Sequence, residues 1–481
     1  MQVLFATSEV APLIKTGGLA DVSAALPAAL REIGVDVRIL LPGYPSVLKM
    51  LAKPQIAAEF PALPGFPPCR LLVAGLPNGV PLFVIECAVL YQRGGGAYQN
   101  EKYMDWPDNA ERFGLLSKIA ALLSCGETPL DWKPDVVHCN DWQTGLTPAY
   151  LHFSKNSAAS IMTIHNIAFQ GIFPAGLVAK LGLPLQSFQP DGVEFFGGLS
   201  FMKAGLFYAN HITTVSPSYA QEIQTPQLGF GLDGLLAHKR DVLSGIVNGI
   251  DTDEWNPAAD PNLVEAYDAK NLKGKSANKR ALQTAMGLQV NDNIPLFGMV
   301  CRFTEQKGLD VVLKIAAQLI AFPAQLVLLG NGDAELERGA LALAEQYPGQ
   351  IATVVGFKQN LAHLIEAGSD IFLMPSRFEP CGLSQLYSQR YGTPPIVHAT
   401  GGLKDTVINC TPTTLARGTA SGFVFKSMDA PGLMAVARSA VSTYYDKNTW
   451  RQLQRNCMDK DFSWQHSAVA YRDIYSQLTR L

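Results

Sequence analysis

The chain has 481 residues, too many for one hydrophobic core, so two or three domains are expected. It is 48% hydrophobic and 16% charged, with a net charge of −3 and a pI of about 6.3, which argues against a nucleic-acid partner. No apolar run reaches the roughly 18 residues of a membrane span, no charged leader precedes the first strand, and the eight cysteines lack any C-x-x-C pair. A reduced cytoplasmic protein without membrane attachment, disulfide framework or zinc cluster is therefore expected.

Val3-Leu4-Phe5-Ala6 reads as the first strand. Leu19, Val22, Leu26, Leu30 and Ile33 then recur at helical spacing. Between them lies IKTGGLADV, from Ile14 to Val22. Gly17 and Gly18 can simply permit a tight turn, with Lys15 a solvated charge. They can also form an anion site, where bare glycine backbone and a helix N-terminus meet a phosphate and Lys15 adds a full charge. The lysine precedes the glycines, so this is not the GK[ST] phosphate loop, and no G-x-G-x-x-G fingerprint is present.

Further strands are predicted at 35–41, 136–138, 160–165, 212–215 and 243–247. A second series follows at 296–301, 325–329, 351–355, 370–374 and 395–398. Many are continuous apolar runs, as parallel strands covered on both faces should be. Alternation with helical patterns predicts doubly wound α/β domains. Runs at 71–74 and 82–86 flank Pro77-Asn78-Gly79 and predict a hairpin inserted in the first domain. The segment VNGIDTDEWNP marks the boundary, giving domains 1–247 and 248–462. A last helix, 463–481, carries Trp464, Ala468, Tyr471, Tyr475 and Leu478 on one stripe and is expected to pack back on the first domain. Two such domains place a ligand cleft at the carboxyl ends of their sheets.

The candidate chemistry clusters at strand ends. In HCNDWQTGL and MTIHNIAFQG, Asp141 and His165 fall at the carboxyl edge of one sheet. In CRFTEQKG, Arg302 and Lys307 precede a helix, which suits a diphosphate. GNGD, Gly330 to Asp333, reads either as a phosphate turn or as a plain turn into a helix capped by Asp333. In PSRFEPCGL, Glu379 can accept sugar hydroxyls or face a helix dipole. ATGGLKDTV repeats the paired-glycine theme at Gly401 and Gly402. The D-x-D pattern at Asp251 and Asp253 is read as a chance match, not a metal site.

In this order, SEVAPLIKTGGLADV, DVVHCNDWQTGL, TIHNIAFQG, VNGID, RFTEQKGLD, PSRFEPCGLSQLY and ATGGLKDTV resemble the ADP-glucose-type glycogen and starch synthase family, the bacterial glycogen synthases most closely. The resemblance covers nearly the whole chain. It implies two Rossmann-like doubly wound domains facing a deep cleft, the GT-B glycosyltransferase fold. It also implies transfer of glucose from ADP-glucose to the non-reducing end of an α-1,4-glucan, with retention and without a required metal or other cofactor. By the same resemblance Lys15 and Gly18 lie against the donor diphosphate and sugar, with Asp21 among the binding residues. Arg302 and Lys307 hold the diphosphate, Glu379 binds glucose hydroxyls with Cys381 beside it, and Gly402 and Leu403 offer backbone N–H groups to the donor. Asp141 and His165 line the glucose and acceptor side, with Tyr98 and Asn248 nearby. Many transferases of this fold carry a second glutamate eight residues after the first, on the ribose; here that position is Tyr387. The rival readings are a UDP-glucose or small-acceptor transferase of the same fold and a catalytically silent glucan-binding protein.

Overall fold

A computed structural model describes residues 1–155 and 157–480. They divide into two compact units, Met1–Gly249 joined by the segment from Trp464 onward, and Ile250–Ser463.

The apolar runs of the first unit become strands β1 (Gln2–Ala6), β2 (Asp36–Pro42), β3 (Gln55–Phe60), β4 (Cys69–Gly75), β5 (Pro81–Glu86), β6 (Val136–Asn140) and β7 (Ala159–Ile164). Three short strands follow, β8 (Ile172–Pro174), β9 (Glu194–Phe195) and β10 (Gly198–Ser200), and then β11 (His211–Thr214) and β12 (Leu243–Gly245). The main sheet runs β12-β11-β7-β6-β1-β2-β5-β4-β3, and β8, β10 and β9 form a small antiparallel sheet. The hairpin expected around Pro77-Asn78-Gly79 exists, with Gly79 at φ 81°. It is not a separate insertion, however. β5 lies parallel to β2, so β4 and β3 extend the main sheet antiparallel at its edge.

Without those two edge strands, the parallel members taken in chain order stand as 3-2-1-4-5-6-7. The helix Gly18–Glu32 packs beside β2 and against the final helix Trp464–Leu478. The stripe of that last helix is buried at Trp464, Ala468, Tyr471 and Tyr475 and half-buried at Leu478. Its Tyr475 hydroxyl meets Nδ1 of His138, in the middle of β6, at 2.7 Å, and Nε2 of that ring meets Thr163 Oγ1 at 2.6 Å. A histidine buried mid-strand thus has both nitrogens satisfied, as burial requires.

The second unit is a six-stranded parallel sheet built from β13 (Leu296–Val300), β14 (Gln325–Gly330), β15 (Ile351–Val355), β16 (Ile371–Met374), β17 (Pro395–His398) and β18 (Phe423–Phe425). In chain order its strands stand as 3-2-1-4-5-6, the dinucleotide-fold order. Alternate strand residues serve opposite faces. Phe297, Met299, Leu326 and Leu328 pack with the helices Leu309–Ala321 and Ala430–Tyr445, while Leu296, Val327 and Leu329 pack with Lys273–Ala285 and Gln359–Gly368.

Strand order reverses between β1 and β6 in one unit and between β13 and β16 in the other. In open α/β sheets, ligands bind outside the carboxyl ends of the strands at that reversal. Among the described residues no helix is long and apolar enough to cross a membrane.

Candidate functional site

In the first unit the loop after β1 is organised by Glu9, which lies within SEVAPLIKTGGLADV but is given no role by the sequence reading. Its buried carboxylate accepts the Thr16 N–H and, at 3.2 Å, the Gly17 N–H. Its other oxygen accepts the Tyr98 hydroxyl, which also meets Ser8 Oγ at 2.8 Å. Burial raises the Glu9 carboxyl, while Tyr98 and the loop amides pull it back. Tyr98 therefore supports the Lys15 loop from below. Gly17 has φ −153°, a backbone any residue adopts, and a Cβ there would meet nothing within 4 Å. Neither the chain's conformation nor its packing requires glycine at this position, and the space beside it is open. Gly18 opens the helix Gly18–Glu32. Lys15 Nζ lies 2.6 Å from Asp21 Oδ1 in its first turn, with half of the lysine exposed.

Asp141 follows β6 in a strained backbone, φ 55° and ψ −178°. This region is nearly glycine-only, and such strain persists where the surroundings over-determine it. Its carboxylate accepts the His165 N–H at 2.7 Å and the Asn166 N–H at 3.4 Å, tying the end of β6 to the end of β7. Burial pushes the Asp141 carboxyl up to about 7, against the opposing pull of those two N–H groups. His165 Nε2 is 3.0 Å from Asn140 Oδ1, and the Asn140 amide nitrogen already donates to Ala6 O and His138 O. Nε2 is therefore the protonated nitrogen, and Nδ1 carries the lone pair. Burial holds this imidazole down to about 3, so it is neutral at pH 7. Asn248 is buried, and its Oδ1 has no hydrogen-bond partner.

In the second unit Lys307 Nζ lies 2.5 Å from Glu379 Oε2, and Ser376 Oγ donates to the same oxygen at 3.0 Å. Two loops make this meeting possible. Gly308, at φ 73°, sits so close to the β16 loop that a Cβ would fall 2.0 Å from Pro375 O. The Arg377 N–H donates to Gln306 O at 2.8 Å, and the Arg377 guanidinium holds Asp310 through bonds of 2.7 and 2.8 Å. Arg302 is exposed and makes no ion pair among the described residues. Cys381 is buried just beyond Glu379.

The backbone amides of Gly402 and Leu403, expected to face the donor, have carbonyl partners in this structure. The Gly402 N–H donates to Glu379 O and Pro380 O at 3.1 and 3.2 Å, and the Leu403 N–H to Thr400 O at 3.1 Å. Both amides are engaged inside the protein. The paired glycines also allow close packing: a Cβ on Gly401 would lie 2.0 Å from Glu379 O, and one on Gly402 2.2 Å from Cys381 O. The glycines of GNGD likewise let backbone approach backbone, with Gly330 against Cys301 and Gly332 against Phe303, while Asp333 caps the next helix through the Glu335 N–H. Asp251 accepts the N–H groups of Asp253 and Glu254 at 2.9 and 3.0 Å, a local turn. Among the described residues no three His, Cys, Asp or Glu side chains gather as a metal site.

The starch synthase catalytic domain matches residues 2–238, and glycosyl transferases group 1 match residues 286–444. The glycogen synthase of Nitrosomonas eutropha is 59% identical over 99% of this chain and 96% of its own length. The chain belongs to the glycogen and starch synthase family. The glycogen synthase of Nitrosospira multiformis, 56% identical over 99% of this chain and 97% of its own, agrees with that membership. Among solved structures, the catalytic domain of starch synthase IV from Arabidopsis thaliana, bound to ADP and acarbose, matches with a TM-score of 0.89 and 32% identity, covering 100% of this chain and 99% of that one. Sucrose-phosphate synthase from Thermosynechococcus elongatus shares the fold at a TM-score of 0.60 and 17% identity, covering 99% and 98% of the two chains. This synthase is a two-domain α/β glycosyltransferase of the GT-B fold, and its activity is glucosyl transfer in glycogen synthesis.

Proposed function

We propose that the donor is ADP-glucose, that the acceptor is the non-reducing end of an α-1,4-glucan, and that transfer proceeds with retention and needs no metal ion. The reading rests on the Lys307–Glu379 pair, with Ser376 donating to the same oxygen and Arg302 exposed nearby in sequence, at the strand-order reversal of the second sheet. The ADP named with the Arabidopsis starch synthase supports an adenine nucleotide.

The second unit is assigned the nucleotide sugar and the first the acceptor. Arg302 and Lys307 meet the diphosphate, where negative charge grows as the bond breaks, and so stabilise the transition state more than the ground state. Lys15, oriented by Asp21 and freed from steric bulk by Gly17 and Gly18, adds a further cation. Glu379 uses Oε2 for Lys307 and Ser376 and turns Oε1 to the glucose hydroxyls, with Cys381 lining the same loop. His165 offers Nδ1 to a sugar hydroxyl, and Asp141 fixes the His165 backbone. Tyr98 holds the Lys15 loop, and the buried Asn248 Oδ1 waits for a donor. In a front-face transfer, C1 loses its bond to the diphosphate oxygen while the acceptor 4-hydroxyl oxygen bonds C1 on the same face. The hydroxyl proton passes to the departing phosphate. The enzyme is assigned to the cytoplasm.

Donor competition tests the nucleotide. With ADP-glucose and UDP-glucose at equal concentration, labelled glucose should enter glycogen predominantly from ADP-glucose. Equal use of the two donors, or preference for UDP-glucose, would reject the assignment.

A further inference from the structure

Arg112 lies near the start of the helix Asn109–Cys125 and is only 2% exposed. A buried charge is normally paired. Among the described residues Arg112 makes no ion pair, since the nearest carboxylates in sequence, Asp108 and Glu111, hold Arg93 and Lys180 at 2.8 and 2.5 Å. The rings of Tyr44, Tyr91, Trp106 and Phe113 surround the guanidinium, with centroids 5.8, 6.0, 5.8 and 5.4 Å from its Cζ. Its Nε donates to Leu90 O at 3.0 Å and its Nη1 to Asn109 Oδ1 at 2.6 Å.

Asn109 is buried as well, and its Nδ2 donates to Tyr98 O at 3.0 Å. These two partners fix the orientation of the amide, because a guanidinium only donates and a carbonyl only accepts. Aspartate at this position would give Arg112 an anion but could not donate to Tyr98 O. The chain thus holds a neutral amide where an ion pair was available. Tyr98 carries the connection onward. Its hydroxyl donates to Glu9, whose carboxylate accepts the Thr16 and Gly17 N–H groups directly after Lys15. One run of hydrogen bonds therefore leads from Arg112 through Asn109, Tyr98 and Glu9 to the loop that carries Lys15, all within the first unit.

We propose that Asn109 is a positioning residue for glucosyl transfer: its amide, seated on the buried Arg112 guanidinium, sets Tyr98 and through Glu9 the Lys15 loop. The proposal rests on the reading above that places Lys15 at the donor diphosphate. The Trp106 N–H also donates to Tyr98 O, at 3.1 Å, so loss of the amide donor displaces Tyr98 without stripping its carbonyl of every partner. A carboxylate in place of the amide would turn an oxygen toward that carbonyl and push it away. The same carboxylate would pair with Arg112 and, at the first position of the helix, face the positive end of the helix dipole. Stability and activity are thus expected to move in opposite directions on a single substitution.

The test compares Asn109→Asp, Lys15→Gln and the double variant, each for melting temperature and for kcat/KM with ADP-glucose at saturating glycogen. Asn109→Asp should melt at or above the wild-type temperature. Its kcat/KM should fall about tenfold, within the roughly hundredfold that a misplacement of about 1 Å can bring. Lys15→Gln should lose about 10- to 100-fold, the worth of one charged hydrogen bond. The double variant should lose no more than Lys15→Gln alone, because Asn109 acts through the loop that presents this lysine. An unchanged kcat/KM in Asn109→Asp would overturn the proposal. A lowered melting temperature or failure to fold would also overturn it, by making the amide a requirement of the fold. So would losses that multiply in the double variant, which a general structural role predicts. An unchanged kcat/KM in Lys15→Gln would instead reject the underlying placement of Lys15 at the donor, so the two failures are distinguishable.

Discussion

Asp141 combines a glycine-like backbone with a carboxyl raised to about 7 by burial. The folded protein therefore keeps this proton to higher pH than the unfolded chain does. The group's contribution to stability is full below its unfolded pKa of about 4, declines as pH rises, and is lost above about 7. Asp141→Asn removes that slope while keeping an oxygen for the His165 N–H. The melting temperature of the variant relative to wild type should rise between about pH 5 and about pH 8. Thermal melts in matched buffers check this, and a pH-independent difference would mean that Asp141 titrates normally. At this scale the sequence reveals groups better than partners. Asp141, His165 and Glu379 stood out by their places after apolar runs. Glu9 did not, because its role depends on Thr16, Gly17 and Tyr98 folding around it. The stretch that holds it, SEVAPLIKTGGLADV, was legible as a family motif, but the carboxylate's partners were not. Gly402 and Leu403 show the converse: the glycines were legible, but the carbonyls that would engage their neighbouring amides were not.

The loops after β13 and β16 act as one element, and Gly308 is where they touch. Alanine there meets a φ of 73° and a carbonyl 2.0 Å from its Cβ. The left-handed backbone alone costs about 1–2 kcal/mol, and relief of the clash must move Lys307, its neighbour in sequence. Gly308→Ala is expected to lower urea stability by at least that amount and to lower kcat, with full activity counting against the coupled loops. The main strands were legible because parallel strands buried on both faces are continuous apolar runs. β18 was missed because Phe423–Phe425 is too short to show a period. The hairpin was legible from its turn residues, but its place on the edge of the main sheet depends on β5 pairing with β2, a long-range choice that local pattern does not encode.

At the scale of the molecule, the same strand order appears in both sheets, and each reversal carries one set of the residues discussed. The central claim is that side-chain cations of this synthase, not a bound metal, stabilise the departing diphosphate. Arg302 tests it cleanly, because it is exposed and makes no ion pair among the described residues, so its removal leaves the fold undisturbed. The decisive measurement is kcat for glucose transfer from ADP-glucose to glycogen in excess EDTA, for the wild type and Arg302→Gln side by side. The wild type should keep its full rate in chelator, and the variant should lose about 10- to 100-fold, the worth of one charged hydrogen bond. Abolition of the wild-type rate by EDTA with recovery on Mg²⁺ or Mn²⁺, or an unchanged kcat in Arg302→Gln, would contradict the claim.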